Sequence, residues 1–316
     1  MTEPPFEGGW IGGVTVTYFP DLAQLEAQGA VLPPAAAWVL VDNGSPAEAV
    51  AALERLCGNR QRTLLLRNAC NRGLAAALNQ GVAALHACWP EVSHVLLLDQ
   101  DCLPEPGSVA RLDATYRALR DSEYPVGAVG PLLIDADSSV SHGFHQQRGW
   151  CWHRYYPTAG DRDPVPCHNL NGSGTYLRVE DFLRWGGLDE ALFIDHLDTE
   201  WSFRLLSRGV TLWGAPQAVF RHSMGRATRR LWLFGWRPWP SRSPLRHYYL
   251  YRNTLHLLRR GPATGVWRFW ATVRLVFNYL LQYLAGAEGR AQRSAMRRGL
   301  TDGWRARLGP APPLKP

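Results

Sequence analysis

The ten residues HVLLLDQDCL, His94 to Leu103, decide the fold. Val95 to Leu98 form an unbroken apolar run, the pattern of a strand covered on both faces as in the middle of a parallel sheet. The run stops at Asp99-Gln100-Asp101, so two carboxylates one residue apart sit where the strand ends. In open α/β sheets, ligands bind in the crevice outside the carboxyl ends of the strands. A carboxylate pair fixed there suits Mg2+ or Mn2+ with open positions for substrate phosphates, which points to a phosphorylated or nucleotide-linked ligand. The same three residues also serve as a turn or a helix cap, and the flanking sequence has to discriminate.

Working outward, Gly13 to Phe19 (GVTVTYF) reads as a first strand, and Trp38 to Val41 as a second that stops at Asp42-Asn43-Gly44-Ser45. Ala47 to Cys57 follows as a helix, Thr63 to Leu66 as a third strand, and Leu74 to Ala87 as an Ala-rich helix opened by Asn71-Arg72-Gly73. Short apolar strands alternating with helices give a parallel sheet with right-handed crossovers. Three strand ends then direct polar groups into one crevice: Thr15 and Thr17, Asp42 to Ser45, and Asp99 with Asp101. Neither G-x-G-x-x-G after the first strand nor G-x-x-x-x-G-K-[ST] occurs, which argues against a dinucleotide oxidoreductase and a P-loop ATPase.

Further along, a helix from Pro106 to Leu119 precedes a strand from Val126 to Val129. Ser141 to Pro166, rich in Gly, His, Trp and Tyr without a clear period, predicts an irregular loop over the crevice. Thr175 to Arg178 reads as a strand, Val179 to Trp185 as a helix stopped by Gly186-Gly187, and Asp198 to Ser207 as a helix with acids in its first turn. Val210 to Trp213 and Ala218 to Arg221 read as two short strands, the second ending at His222.

The charge of the 316 residues is divided: residues 1 to 220 sum to −10, whereas 221 to 316 hold 18 Arg, one Lys and two acids, a net of +17. That basic part is also loaded with Trp, Phe, Tyr and Leu, which suits an anionic lipid headgroup boundary better than a nucleic acid, and no nucleic-acid partner is expected. The N-terminal MTEPPFEGGW lacks a basic start followed by an apolar run, which predicts a cytoplasmic protein. Six cysteines without a C-x-x-C pair read as small packed hydrophobes in a reducing compartment. In Val266 to Leu284, Arg274, Asn278 and Gln282 recur every four residues, so this helix carries a polar stripe and is expected to lie in a membrane interface or to pair with a second copy, not to span a bilayer.

VDNGS (41–45), NRGLAAALNQG (71–81), LLLDQDCLP (96–104), GGLDE (186–190), DHLDTEWSFRLLSRG (195–209) and HSMG (222–225) occur in order over about residues 11 to 225. This series resembles the inverting glycosyltransferases of family two, which use nucleotide sugars. HYYLYRNTLHLLRR (247–260), GLTDGWRARLG (299–309) and the D-x-x-D-x-E-W of 195–201 resemble its rhamnosyltransferase branch. The resemblance implies an α/β, GT-A-type, Rossmann-like parallel or mixed sheet with a basic, aromatic-rich helical extension. Residues 1–225 would then be the catalytic domain, 226–243 an Arg/Pro/Trp-rich linker, and 244–316 a helical region for membrane association or dimerisation. The implied activity is metal-dependent transfer of L-rhamnose from dTDP-L-rhamnose to a hydroxyl of a lipid-linked or cell-surface glycan, on the inner face of the cell membrane. A galactofuranose or hexose donor is one alternative, and a non-catalytic membrane or RNA-binding protein is the other.

Residue by residue, the resemblance implies Asp101 as direct ligand of Mg2+ or Mn2+, with Asp99 near the ribose or reaching the metal through water. His222 matches a position that completes metal or diphosphate binding, against a reading as a structural histidine. Asp42 matches the base-recognition position, with Thr17, Asn43, Asn71 and Asn79 around the same pocket; Asn71 also reads as a helix cap. Asp198 matches the base that deprotonates the acceptor, with Asp195 and Glu200 as rivals. Leu197 stands where many relatives carry Glu, and an apolar neighbour would desolvate Asp198 and favour proton abstraction. Asp189 and Glu190 read either as acceptor contacts or as caps of the turn.

Overall fold

The computed structural model describes residues 10–122, 124–222, 228–232, 236–240, 242–284 and 286–313; side chains at 228–240 and 284–288 lie outside the description. The first half of the chain alternates β1 (Ile11–Thr17), α1 (Leu22–Val31), β2 (Ala37–Asp42), α2 (Ala47–Gly58), β3 (Thr63–Arg67), α3 (Leu74–Cys88) and β4 (His94–Asp99). A short β5 (Cys102–Pro104) and α4 (Ser108–Asp121) follow, then β6 (Val126–Asp135). Strands β1 to β4 are mutually parallel, in the order β3-β2-β1-β4, and β1, β2 and the middle of β4 are buried on both faces. Unbroken apolar runs are required for that position.

The segment expected to be an irregular loop is a hairpin of β7 (Phe144–Arg148) and β8 (Cys151–Tyr155), followed by β9 (Val165–Cys167). Its alternation is carried by His, Gln, Trp and Tyr, which read equally well inside or outside, so the period of two is masked in the sequence. Next come β10 (Tyr176–Arg178), α5 (Val179–Arg184), a 3-10 turn at Glu190–Leu192, α6 (Leu197–Leu206) and β11 (Thr211–His222). The two short strands expected at 210–213 and 218–221 are this single strand, interrupted by a register shift between Ala215 and Val219. Strand β10 runs antiparallel between β4 and β6, and β5 pairs antiparallel with β11 at the far edge. The sheet is therefore mixed and mostly parallel.

Within 226–243, the expected linker, the backbone forms two paired antiparallel strands, β12 (Thr228–Trp232) and β13 (Trp236–Pro240). Three helices close the chain: α7 (Pro244–Arg260), α8 (Gly265–Leu284) and α9 (Gly286–Trp304). Helix α7 starts with the Ser243 hydroxyl accepting from the Arg246 N–H and with Pro244 in its first turn. Gly299 and Gly303, one turn apart on α9, face the Tyr248 and Arg252 carbonyls, so a Cβ at either would strike α7 backbone. That close approach joins α7 and α9 into one unit.

Register sets up the site. Thr17 pairs with Asp42 and Val16 with Asp99, so three strands end along one line. Antiparallel pairing of β5 with β11 puts His222 opposite Cys102, immediately beside the Asp99–Asp101 turn.

Candidate active site

Helix α1, which the sequence reading missed, holds the acidic turn. Gln28 is buried on its inner face; its amide donates to the Asp99 and Cys102 carbonyls, and its oxygen accepts from the Thr15 hydroxyl. Between the two acids, the Gln100 side chain pairs with the Tyr18 backbone, accepting at 2.8 Å and donating at 3.2 Å. The turn is thereby tied to both α1 and the end of β1.

Asp99, Asp101 and His222 offer ligand atoms that all lie within 4.8 Å of one another. His222 Nε2 is 3.3 Å from Asp99 Oδ2 and 3.6 Å from Asp101 Oδ1. The Ser173 hydroxyl donates to Asp99 Oδ2 as well. Burial alone would raise the Asp99 carboxyl, but His222 and Ser173 hold it below its ordinary value. Burial, with the charge of Asp99, raises Asp101 against the pull of His222. Burial would lower His222, but the two carboxylates and Asp135 keep it above its ordinary value. Two carboxylates and one imidazole on converging strands form a donor set that fits Mg2+ or Mn2+.

Five further acids around the crevice are sorted by their partners. Asp195, its side chain largely covered, is ion-paired to Arg242 at 3.3 Å and Arg246 at 2.7 Å; burial opposes ionisation, yet the two guanidiniums hold its carboxyl below the usual range. Glu200 is bound in a fork by Arg204, at 2.8 and 3.0 Å, and the same guanidinium donates to the Trp185 and Gly187 carbonyls. Asp189 caps the 3-10 turn, accepting from the Ala191 N–H at 3.0 Å, and Glu190 accepts from Asn79 at 3.0 Å. Asp198 differs from all of these. It accepts from the Thr199 N–H at 2.8 Å and forms no ion pair among the described residues. Burial, reinforced by the charges of Asp195 and Asp99, raises its carboxyl from 3.8 to about 6. Its neighbour Leu197 turns into the main core. Burial also pushes His196 down to about 4, leaving a neutral ring between the two acids.

The nucleotide-side residues form one network, much of it internal. The Asp42 carboxylate accepts from the Thr17 hydroxyl at 3.3 Å and from the Gly44 and Ser45 N–H groups at 3.2 and 2.9 Å. The Asn43 amide donates to Asn71 Oδ1 and the Gly73 carbonyl, and its oxygen accepts from Asn68 and the Arg72 N–H. Asn71 Oδ1 accepts from the Gly73 N–H, shaping the turn into α3. Asn79 both donates to and accepts from the Leu188 backbone, pinning the GGLDE turn to α3.

Four further residues were given no role of their own by the sequence, although Arg252 and Asn253 lie inside a motif quoted for the resemblance. Ser173 bonds Asp99, and Arg246 lies close enough to Asp99 and Asp101, as well as Asp195, for all three charges to favour its ionised form. Arg252 and Asn253, both fully buried, belong to the HYYLYRN stretch. The Asn253 amide donates to the Leu192, Ile194 and Asp195 carbonyls at 2.9, 2.8 and 2.8 Å, and Arg252 donates to the carbonyls of Leu192 and Gly309. Tyr249 stacks on Phe193 with ring centroids 5.1 Å apart. These contacts brace a loop in which Phe193, Asp195 and His196 all have φ near +65°. Non-glycine residues persist there only when their surroundings over-determine them. On its other side, the Phe193 carbonyl accepts from the Leu74 N–H and lies against Gly73, whose own φ is +90°.

A mostly parallel mixed sheet with an acidic turn and a histidine at its crevice is a GT-A-type fold. The chain belongs to Glycosyl transferase family 2, whose sequence profile its residues 25–182 match. It is 28% identical over 253 residues to the dTDP-rhamnosyl transferase RfbF of Shigella flexneri, covering 79% of this chain and 80% of that one. In fold it is similar to residues 1–349 of TarS from S. aureus in complex with UDP-GlcNAc, with a TM-score of 0.56 and 11% identity over 94% of this chain and 81% of that one. GalNAc-T7 with UDP, GalNAc and Mn2+ is also similar in fold, with a TM-score of 0.54 and 17% identity over 67% of this chain; the match spans only 43% of GalNAc-T7.

Proposed function

We propose that the protein transfers L-rhamnose from dTDP-L-rhamnose, with inversion at the anomeric carbon, to a hydroxyl of a lipid-linked or cell-surface glycan. The observation that carries the reading is the sorting of the crevice acids. Asp195 and Glu200 are neutralised by arginines, whereas Asp198 is half-buried, unpaired by any cation among the described residues and raised to about 6. A carboxyl near 6 is a competent general base close to neutral pH. The dTDP-rhamnosyl transferase of Shigella supports the choice of donor.

Asp101 and Asp99, with His222, are the residues that would hold Mg2+ or Mn2+, which when bound neutralises the leaving diphosphate. The cation seen with UDP in GalNAc-T7 supports Mn2+ as a first choice. Asp198 would accept the acceptor hydroxyl proton as the sugar–phosphate bond breaks. A single displacement by that hydroxyl inverts the anomeric centre, converting a β-L-rhamnosyl donor to an α-L-rhamnoside. Thr17, Asp42, Asn43, Asn71 and Asn79 would shape the nucleotide side, and Asp189 and Glu190 the acceptor side. Arg246, between Asp195 and the acidic turn, is suited to meeting diphosphate oxygens.

The catalytic part would occupy residues 1–225 and the helical region 244–316. No helix among the described residues is long and apolar enough to cross a membrane. With +17 over residues 221–316, we assign the enzyme to the cytoplasmic face of an anionic membrane, as a peripheral protein. Release of dTDP from dTDP-L-rhamnose, screened beside other nucleotide sugars with Mn2+, tests the donor, and NMR of the product linkage tests the stereochemistry. Turnover with another nucleotide sugar but none with dTDP-L-rhamnose would refute the donor, and a retained β-linkage would refute the mechanism.

A further inference from the structure

Helix α8 is apolar on two sides: Trp267 and Leu275 pack inward, and a second row of apolar side chains faces outward. Phe269, Val273, Val276, Leu280 and Tyr283 are 60%, 42%, 55%, 57% and 58% exposed. Their spacing of four, three, four and three places them on one stripe, an apolar ridge running about 21 Å along the helix. The opposite side carries the polar stripe. Asn278 is buried, the Arg268 guanidinium donates to the Leu258, Gly261 and Ala263 carbonyls, and Arg274 is near enough to Asp195 and Arg242 to sense their charges. A helix that faced only water would carry polar side chains along that outer row.

The ridge continues off the helix. The Trp270 indole donates to the Trp150 carbonyl at 3.0 Å, which sets the tip of the β7–β8 hairpin beside the start of the ridge. Trp150 itself is 85% exposed, the most exposed large apolar side chain described. Exposed Trp, Phe and Tyr along one edge, in a segment of net charge +17, match the headgroup layer of an anionic bilayer. A second copy is the poorer occupant, because a symmetric dimer would bring two segments of +17 face to face.

We infer that the outer face of α8, together with Trp150, is the surface on which the protein docks to an anionic lipid bilayer. This rests on the membrane-facing reading of the enzyme and gives it an orientation. With the ridge on lipid, the opposite face of α8, carrying Arg274, looks toward Asp195 and the crevice. A lipid-linked acceptor would then enter along the helix that touches the membrane.

The test is co-sedimentation of the full chain with phosphatidylcholine vesicles, with and without phosphatidylglycerol, at low and high salt. The wild type is expected to sediment with the anionic vesicles, and less so at high salt. Val276→Ser/Leu280→Ser should bind them on the order of a hundred-fold more weakly, and Trp150→Ser more weakly still than wild type. Both variants should keep the wild-type melting temperature within a few degrees and the same dTDP release with a soluble acceptor. Undiminished binding by the folded Val276→Ser/Leu280→Ser variant would overturn the assignment. So would a wild type that stays in the supernatant, and if it were a dimer that this variant splits, the ridge would be an interface between copies. Docking as expected with no turnover of any nucleotide sugar would sustain the surface and refute the catalytic reading instead.

Discussion

Asp198→Asn should make the protein more stable and nearly inactive. Burial raises the Asp198 carboxyl from 3.8 to about 6, so at neutral pH the folded protein holds a carboxylate that the unfolded chain would ionise more readily. Because the folded value is the higher one, this group favours the fold in its protonated form, and that contribution is lost as pH rises from about 4 through 6. The shift corresponds to a cost of at most about 3 kcal/mol above pH 7, falling to well under 1 kcal/mol at pH 4. Asparagine is isosteric, keeps an oxygen for the Thr199 N–H and carries no charge. Urea denaturation of both proteins at pH 4 and pH 8 isolates the effect, since packing differences cancel between the two conditions. The variant should gain about 1–3 kcal/mol relative to wild type on going from pH 4 to pH 8. In parallel, wild-type kcat/KM should fall below a midpoint near 6, and Asp198→Asn should retain donor affinity while losing turnover. A relative stability independent of pH, or full turnover in the variant, would refute the assignment of an unpaired, half-buried base.

Asp101→Ala should weaken donor binding about 10–100-fold with little change in folding, and calorimetric titration with Mn2+ before and after chelation checks it. Arg246→Ala leaves buried Asp195 with Arg242 alone, so unfolding in urea should become easier by roughly 1–3 kcal/mol at pH 7. That loss should shrink as pH falls and Asp195 protonates. Asn253→Ala removes the shared donor of three loop carbonyls; a cost of about 1–3 kcal/mol is expected, with kcat falling more than donor KM rises.

Legibility followed the nature of each signal. The strands β1, β2 and β4 announced themselves because burial on both faces demands unbroken apolar runs, and polar turns mark where those runs stop. Helix α1 did not, because its buried face includes Gln28, whose amide is engaged with the Asp99–Asp101 turn; a polar residue in the core breaks the hydrophobic period that betrays a helix. The β7–β8 hairpin was hidden for a similar reason, since its side chains are amphipathic aromatics and amides. For the site, the acidic turn was readable, but the nucleotide-side asparagines show how little a residue type reveals about its partner. Asn43 and Asn79 bond backbone and neighbouring side chains, a role visible only once the loops at 68–73 and 186–190 are in place. The roles of Arg246 and Asn253 depend on contacts across about fifty or more residues of chain, which no local pattern encodes.

The C-terminal helices cannot be a detachable anchor. The loop from Ala191 to His196 presents Asp195 and leads into Asp198, and it holds three residues at φ near +65°; from the catalytic part it is met by the Leu74 N–H, Gly73 and the first turn of α6, with Leu192 in the main core. Its remaining supports come from α7 and the segment after α9: the Asn253 amide, the Arg252 guanidinium, the Tyr249 ring and the Gly309 N–H. Arg252 in turn donates to the Gly309 carbonyl, so the turn beyond α9 closes the same brace. Asp195 is kept ionised by two arginines from this region, and its charge is one of the causes that raise Asp198. Through Asp195, the C-terminal region thus contributes, after burial, to raising the carboxylate that would abstract the proton, while α8 offers its apolar edge to the outside. On the proposed reading, one set of helices would both position the base and orient the crevice toward the acceptor.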